Sequence, residues 1–496
     1  MWGGIMDPIT RRFSYVSLER DHVKSMHAEL VVLGAGPGGY AAAFYAADKG
    51  MKVTLVEHER RLGGICLNYG CIPSKALLHA AKLITEARDS GHRGIHFGTP
   101  TLNMDEMRAW KNSILDKLAG GVSVLAQRRN VQVITGRGYF EDLRTLRVET
   151  ERGQQFIEFE KAIIAVGSKA AMPPAFDLGN KRIMTSTEAL EVEEIPQELL
   201  IVGGGYIGME LGTVYATLGS AVTVVEALGT ILTGADNDLV RPVMRYAEKA
   251  FKEIRVNIKV QKMATSGKKI KVTFDVGGNP KDELYDRVLV SIGRVPNTDD
   301  LGLENTKVQQ DEKGYIRVNE RQETSDPFVF AIGDVVGGVM LAHKAAREGR
   351  VAVEVMTGEA STFEDIVIPA VVFTDPEIAW CGLTEFEAKE KNIPVEVAKF
   401  PWTASGRALT FDRTDGLTKL VIEPETERIL GVGIVGVGAG DLISEGVLAI
   451  EMGSTAKDLA DSIHPHPTLS ETLSEAAEVF YGYATHSLGR KKVAKE

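Results

Sequence analysis

The sequence predicts an α/β protein with two dinucleotide-binding units followed by an α+β region. Three observations predict it. A strand, glycine turn, helix and second strand open the chain near residue 29. The same pattern returns near residue 199, and the glycine signature is gone beyond residue 367.

At 496 residues the chain has room for three or four domains. Hydrophobic residues at 44% and charged residues at 25% are ordinary for a soluble globular protein. The 51 glycines fit several phosphate-binding turns. A net charge of −11 argues against nucleic-acid binding and against anionic membranes. No apolar run reaches the ~18–20 residues a membrane helix needs. Three cysteines suit a reducing cytosol, so a cytoplasmic location is expected. Residues 1–27 lack the apolar core of a secretory signal. Their Arg11, Arg12 and Arg20 are offset by Asp7, Glu19 and Asp21, which weakens a transit-peptide reading. A flexible extension is expected there, with Met26 near the functional start.

The first unit runs from the strand ELVVL, residues 29–33, through Gly34, Gly36, Gly38 and Gly39 into an Ala-rich helix. Its second strand, VTLVE, ends at Glu57. Gly34 makes the tight turn, Gly36 lets backbone approach a pyrophosphate, and Gly39 lets helix pack on strand. The phosphate would sit at the positive helix N-terminus. Glu57, 23 residues after Gly34, is placed to bind a ribose hydroxyl.

Next comes GGICLNYGCIPSK, residues 63–75, with Cys66 and Cys71. The only other cysteine is Cys381, so a four-cysteine zinc site is excluded. A chain this long buries its own core and needs no structural disulfide. What remains is a catalytic dithiol/disulfide. Such a pair needs a two-electron carrier on one side and a proton acceptor on the other. The upstream nucleotide unit can hold the first. His466, with Glu471 five residues on, can be the second, since a thiol of pKa about 8.5 must lose its proton to attack a disulfide.

Residues 76–130 read as helices, and 131–165 as short strands closing in AIIAVGS. The second unit has a strand at 199–202, then Gly203, Gly205 and Gly208, a helix, and a strand ending at Glu226. The acid again lies 23 residues after the first glycine. Two such units imply two dinucleotides, naturally a flavin and a nicotinamide. Glu226 would repel a 2′-phosphate, which favours NAD over NADP. A strand DRVLVSIG is expected to end in a turn at residues 293–297. The strand FVFAIGD ends in Asp334, an acid suited to a polyol hydroxyl. Beyond 367, the strands PAVVF, TKLVI and GVGIVG alternate with the helices TEFEAKEK and LISEGVLAIEM. The run GVGIVGVGAG, lacking an appropriate helix and acid after it, is read as a packed strand and turn. Cys381 reads as a buried core residue and His464 as structural.

Together the motifs GGICLNYGCIPSKALLHAAK, GRVPNT, MLAHK, TDPEIAWCGLTE, FPWTASGRA and HPHPTLSE resemble the FAD-dependent pyridine nucleotide–disulfide oxidoreductases. The likeness is to their dihydrolipoamide-oxidising branch and spans about residues 28–485. It implies an extension at 1–27, an FAD domain at 28–168, an NAD domain at 169–294, a central domain at 295–366 completing the FAD site, and a dimerisation domain at 367–496. It implies that Cys71 is the thiol nearer the flavin, Cys66 the interchange thiol, and Lys75 the flavin's neighbour, paired with Glu210. His466 would be the acid/base, held by Glu471, and the His466–Pro467 bond would be cis. Gly64, Gly138 and Gly167 would lie at the flavin with Asp334 and with Met340, Leu341, Ala342 and His343. Tyr206, Ile207, Val260 and Gly293 would lie at the nicotinamide with Gly203, Gly205, Gly208 and Glu226.

The implied activity is oxidation of protein-bound dihydrolipoyl groups by NAD. The implied partners are a second copy, the lipoyl domains and acyltransferase core of 2-oxoacid dehydrogenase complexes, and the lipoyl carrier of glycine cleavage. Glutathione and mercuric reductases are sister readings. Glu226 disfavours their usual NADPH, and no cysteine follows Cys381. An inert flavoprotein subunit is a third reading, opposed by the joint presence of Cys66, Cys71, His466 and Glu471. Three departures from the family pattern stand out: Ala165-Val166-Gly167 at the flavin turn, Pro465 before His466, and HKAAREG from His343.

Overall fold

The computed structural model describes residues 25–488. Most of the extension expected at 1–27 lies outside them. The first strand, Met26–Leu33, already includes Met26 and pairs it with Ile157.

Three sheets organise the described residues. In the first, parallel strands Gln132–Thr135, Val53–Glu57, Met26–Leu33, the end of Gly153–Ile164 and Val329–Ala331 stand side by side. All five residues of Val53–Glu57 are buried, because helices cover both faces of such a sheet. The start of Gly153–Ile164 instead pairs antiparallel with Thr145–Thr150, which pairs with Arg137–Phe140. Val329–Ala331 comes from the segment 295–366. That segment also supplies helix Ala342–Met356, which packs on helix Pro37–Asp48.

The second sheet is parallel throughout, in the order Glu253–Arg255, Ala221–Val225, Glu198–Val202, Arg287–Val290, Ile183–Met184. A three-stranded antiparallel meander, residues 259–285, packs against it. One expectation fails at the crossing between the two units. Arg294–Pro296, expected in a turn, is a strand paired antiparallel with Ser168–Ala170. The two connecting segments satisfy one another's backbone groups there. Arg294 adds bonds to the Ser168 carbonyl and hydroxyl, both at 2.7 Å.

The third sheet is antiparallel: Ala370–Val372, Ile378–Gly382, Ile429–Val435, Leu417–Ile422, Glu396–Pro401. The glycine run of Ile429–Val435 is followed by helix Ala439–Glu451, which starts three residues before the expected LISEGVLAIEM. The strand's neighbours are antiparallel, so this is no nucleotide unit. A Cβ at Gly436 would lie 2.3 Å from the ring of Trp402, which is fully buried. Cys381 is buried in this core, and burial pushes its thiol up to about 12. Lys419, also buried, ties the third sheet to the second unit through Asp236 at 2.6 Å and Asp238 at 2.9 Å. No helix among the described residues is long and apolar enough to cross a membrane.

Candidate functional site

A cavity of 670 Å³ runs from the first glycine turn, past both cysteines, to the start of the second unit's helix. Its walls explain the glycine spacing. Gly34 has φ +102°, and a Cβ there would sit 2.4 Å from the Ala165 carbonyl oxygen. Gly36 has nothing within 4 Å of its Cβ position, so its backbone is open to a ligand. A Cβ on Gly39 would meet the Gly34 carbonyl oxygen at 1.9 Å. Glu57 is buried and accepts from the Ala35 amide at 2.7 Å. Burial pushes its carboxyl up, but His58 at 2.8 Å and the amides of Glu59 and Ala35 outweigh this and hold it low.

Gly38, Gly64, Gly138, Gly167, Met340 and Ala342 also line this cavity. Leu341 and His343 do not; His343 turns its Nε2 to the Pro369 carbonyl, 2.8 Å away. Asp334 lines the cavity and accepts from Ser168, whose hydroxyl is held by Arg294. An open glycine turn at a helix N-terminus, an acid after the second strand and an anchored acid beyond it fit a dinucleotide.

Helix Gly64–Tyr69 presents Cys66, and helix Cys71–Asp89 opens on Cys71. Both are free thiols with sulfurs 2.8 Å apart, within reach of bonding. The Cys66 thiol donates to Cys71 and lowers it to about 7, with help from Lys75; Cys66 is pushed up in return. Of the two, Cys71 is the one favoured as thiolate. Lys75, one turn along the same helix face, bonds Glu210 at 2.7 and 3.0 Å. Glu210 is 3% exposed.

The second unit repeats the first. Gly203 has φ +106°, with a Cβ position 2.4 Å from the Ser291 carbonyl oxygen; Gly205 is open; a Cβ on Gly208 would meet the Gly203 oxygen at 2.2 Å. Glu226 accepts from the Gly204 amide at 2.7 Å and the Leu228 amide at 2.8 Å. Tyr206 and Ile207 reach the cavity that holds Cys71. Gly293 has φ +126° and open space beside it. Val260 instead packs half-buried against the core of this unit.

His466 is elsewhere. Its ring is 74% exposed, and Glu471 Oε1 holds Nδ1 at 2.8 Å. Burial would raise Glu471, but the Thr468 amide and His466 keep it low. The His466–Pro467 bond is cis, as is Asp375–Pro376. His466 does not line the cavity of its own chain. His464 is anchored by Glu445 at 2.7 Å and the Ser462 carbonyl at 3.0 Å.

Two groups escaped the sequence reading. Ser168 and Arg294 are 126 residues apart, and the second was taken for a turn residue. Phe373 lies with its ring centroid 4.5 Å from Lys75 Nζ. Its position after the strand Ala370–Val372 carries no motif that would have singled it out.

The family model for pyridine nucleotide-disulphide oxidoreductases matches residues 28–349, and that for their dimerisation domain matches 368–477. A dihydrolipoyl dehydrogenase of Vibrio parahaemolyticus is 46% identical, over 95% of this chain and all of the relative. One of Haemophilus influenzae is 45% identical, over 93% of this chain and 97% of the relative. Among solved structures, LpdA of Mycobacterium tuberculosis superposes with TM-score 0.86 at 26% identity, over 92% of this chain and 99% of that one. The HOCl-induced flavoprotein disulfide reductase RclA of Escherichia coli, as its Cu(II) complex, gives 0.82 at 28%, over 91% and 99%.

Proposed function

The chain belongs to the pyridine nucleotide-disulphide oxidoreductase family, and on that premise we propose that it is a dihydrolipoyl dehydrogenase working across a two-chain site. The protein is an oxidoreductase of FAD and NAD, and its C-terminal domain is the family's dimerisation domain. Gly34, Gly36, Glu57 and Asp334 would hold FAD. Gly203, Gly205 and Glu226 would hold NAD.

His466 takes the proton of one substrate thiol, with Glu471 fixing the imidazole's orientation. The substrate thiolate attacks Cys66 of the oxidised pair. The Cys66–Cys71 bond breaks, and Cys71 leaves as the thiolate that Lys75 favours. The second substrate thiol loses its proton to Cys66 and displaces it, closing the lipoyl disulfide. The protein pair has gained two electrons, Cys66 holds one proton, and His466 holds the other. Bound FAD and NAD supply the redox chemistry that removes those electrons as a hydride on NAD.

One observation carries the two-chain site: His466 stands exposed and outside its own chain's cavity, whereas the thiols line it. A two-fold dimer brings the partner's His466 to the dithiol. The partners in turn are lipoyl domains and the acyltransferase core of 2-oxoacid dehydrogenase complexes, or the lipoyl carrier of glycine cleavage, met in the cytoplasm. The test is NADH formation from dihydrolipoamide and NAD by the purified holoenzyme. Steady turnover supports the reading. Turnover with glutathione and NADPH, and none with dihydrolipoamide, overturns it.

A further inference from the structure

Three domains meet at Lys75. The lysine belongs to helix Cys71–Asp89 of the first unit. Its carboxylate partner, Glu210, belongs to helix Tyr206–Leu218 of the second. The third contributor is Phe373, beside the edge strand Ala370–Val372 of the C-terminal sheet. The Phe373 amide donates to Glu210 Oε1 at 3.0 Å. The Phe373 ring faces Lys75 Nζ, 4.5 Å from its centroid. One residue therefore grips both members of the ion pair, the anion through backbone and the cation through its π face.

We propose that Phe373 is a positioning residue for the thiol chemistry: it holds Lys75 and Glu210 so that the ammonium stays beside Cys71. The proposal rests on the reading of Cys66 and Cys71 as the redox pair, and adds the C-terminal domain to the groups that tune it. A lysine side chain has four rotatable bonds, and a single carboxylate leaves its swing about that contact free. A ring face 4.5 Å from the ammonium restricts that swing, through a contact that is strongest where water is excluded. Glu210 is buried and needs its amide donors, so the Phe373 backbone fixes the anion whatever side chain is present. The ring alone is then available to substitution.

The groups that bear on Cys71 are few. Cys66 lies on the neighbouring helix, Lys75 on its own, and Glu210 and Tyr206 on helix Tyr206–Leu218. Of these, Lys75 is the cation that favours the thiolate. Loosening it should make Cys71 harder to ionise without touching either sulfur.

The experiment uses the FAD-loaded dimer, reduced by two electrons, and follows the long-wavelength thiolate-to-flavin band against pH. Phe373→Leu keeps the amide and most of the apolar volume but removes the ring face. Phe373→Tyr keeps the ring. Phe373→Met is a second ring-free variant, for use if the Leu protein fails to fold. The midpoint should rise by about half a pH unit or more in the ring-free variants and return to the wild-type value in Phe373→Tyr. A ring-free variant that binds FAD, dimerises, and titrates at the wild-type midpoint overturns the proposal. Absence of the band in the wild-type protein at every pH would overturn the redox-pair reading instead, so the two failures are distinct.

Discussion

The two nucleotide units share a backbone and differ in what covers it. A Cβ at Gly34 or at Gly203 would lie 2.4 Å from the carbonyl oxygen just past the neighbouring strand, that of Ala165 or Ser291. Gly36 and Gly205 are both open, and Glu57 and Glu226 each accept from the amide after the first glycine, at 2.7 Å. The difference comes two residues after the open glycine. In the first unit this is Gly38, whose Cβ position lies 3.1 Å from the Ala345 side chain, so that helix Ala342–Met356 lies directly on the turn. In the second unit it is Ile207, which faces the cavity beside Tyr206, and Tyr206 is 43% exposed. Glu57 is 4% exposed and carries His58 as a partner; Glu226 is only half-buried. One motif thus makes a covered site suited to a retained cofactor and an open one suited to an exchanging cofactor.

Making the first unit like the second should have the largest effect. Gly38→Ile forces a branched side chain into Ala345. The protein should purify with its flavin content cut to about a tenth or less, and with activity lost in proportion. A flavin-to-protein absorbance ratio checks this, and full flavin occupancy would show that the close helix is not what retains the cofactor.

The acids should differ in consequence too. Glu226 is placed to repel a 2′-phosphate, and two like charges about 4 Å apart cost ~4 kcal/mol at an effective dielectric of 20. The wild-type kcat/KM ratio of NAD to NADP should therefore be several hundred, falling to about ten or below in Glu226→Ala. Equal use of both cofactors by the wild type would remove Glu226 from the account.

A pH titration sharpens the covered side of the comparison. Cys71 is lowered to about 7 by the Cys66 thiol and Lys75. A lowered thiol is charged above its pKa, so the thiolate-to-flavin band of the two-electron-reduced enzyme should be full above pH 8 and fade as pH falls through about 7. A midpoint near the ordinary thiol value would mean that the proton is not shared as the geometry indicates. The smallest effect is expected at the open site. Ile207→Gly removes a half-buried side chain that packs on the second unit's core, so flavin content should be unchanged and the KM for NAD should shift by no more than a few-fold. Loss of flavin in this variant would erase the distinction between the two units.

Sequence reasoning reached the parts of this site whose spacing is local. The turns at Gly34 and Gly203, the acids at Glu57 and Glu226, and the cysteines at 66 and 71 are each set by a short stretch of chain. The pairing of Lys75 with Glu210, 135 residues away, was legible only through resemblance, because no local rule joins two helices of different domains. The Ser168–Arg294–Asp334 group was missed for the same reason. Its members meet where two connections cross, and Arg294–Pro296 carries turn residues while forming a strand. The helix Ala439–Glu451 starts earlier than its sequence suggests because glycines precede it, and one of them, Gly436, makes room for Trp402 rather than for a phosphate. Of residues 340–343, expected together at the flavin, Met340 and Ala342 line the cavity. The entry to helix Ala342–Met356 sends neighbouring side chains in different directions, as its winding requires.

The most direct test of the two-chain site is complementation between two inactive variants. Cys71→Ser lacks a working pair at both sites of its dimer, and His466→Gln lacks the base at both. In a mixed dimer one site joins an intact pair to the partner's His466, while the other carries both lesions. Co-expression should therefore restore activity, to about a quarter of wild type in the unfractionated pool for random pairing and to about half in mixed dimers isolated by their two different tags. Mixed dimers that form, bind FAD and remain as inactive as their parents would place base and dithiol within one chain and contradict the account.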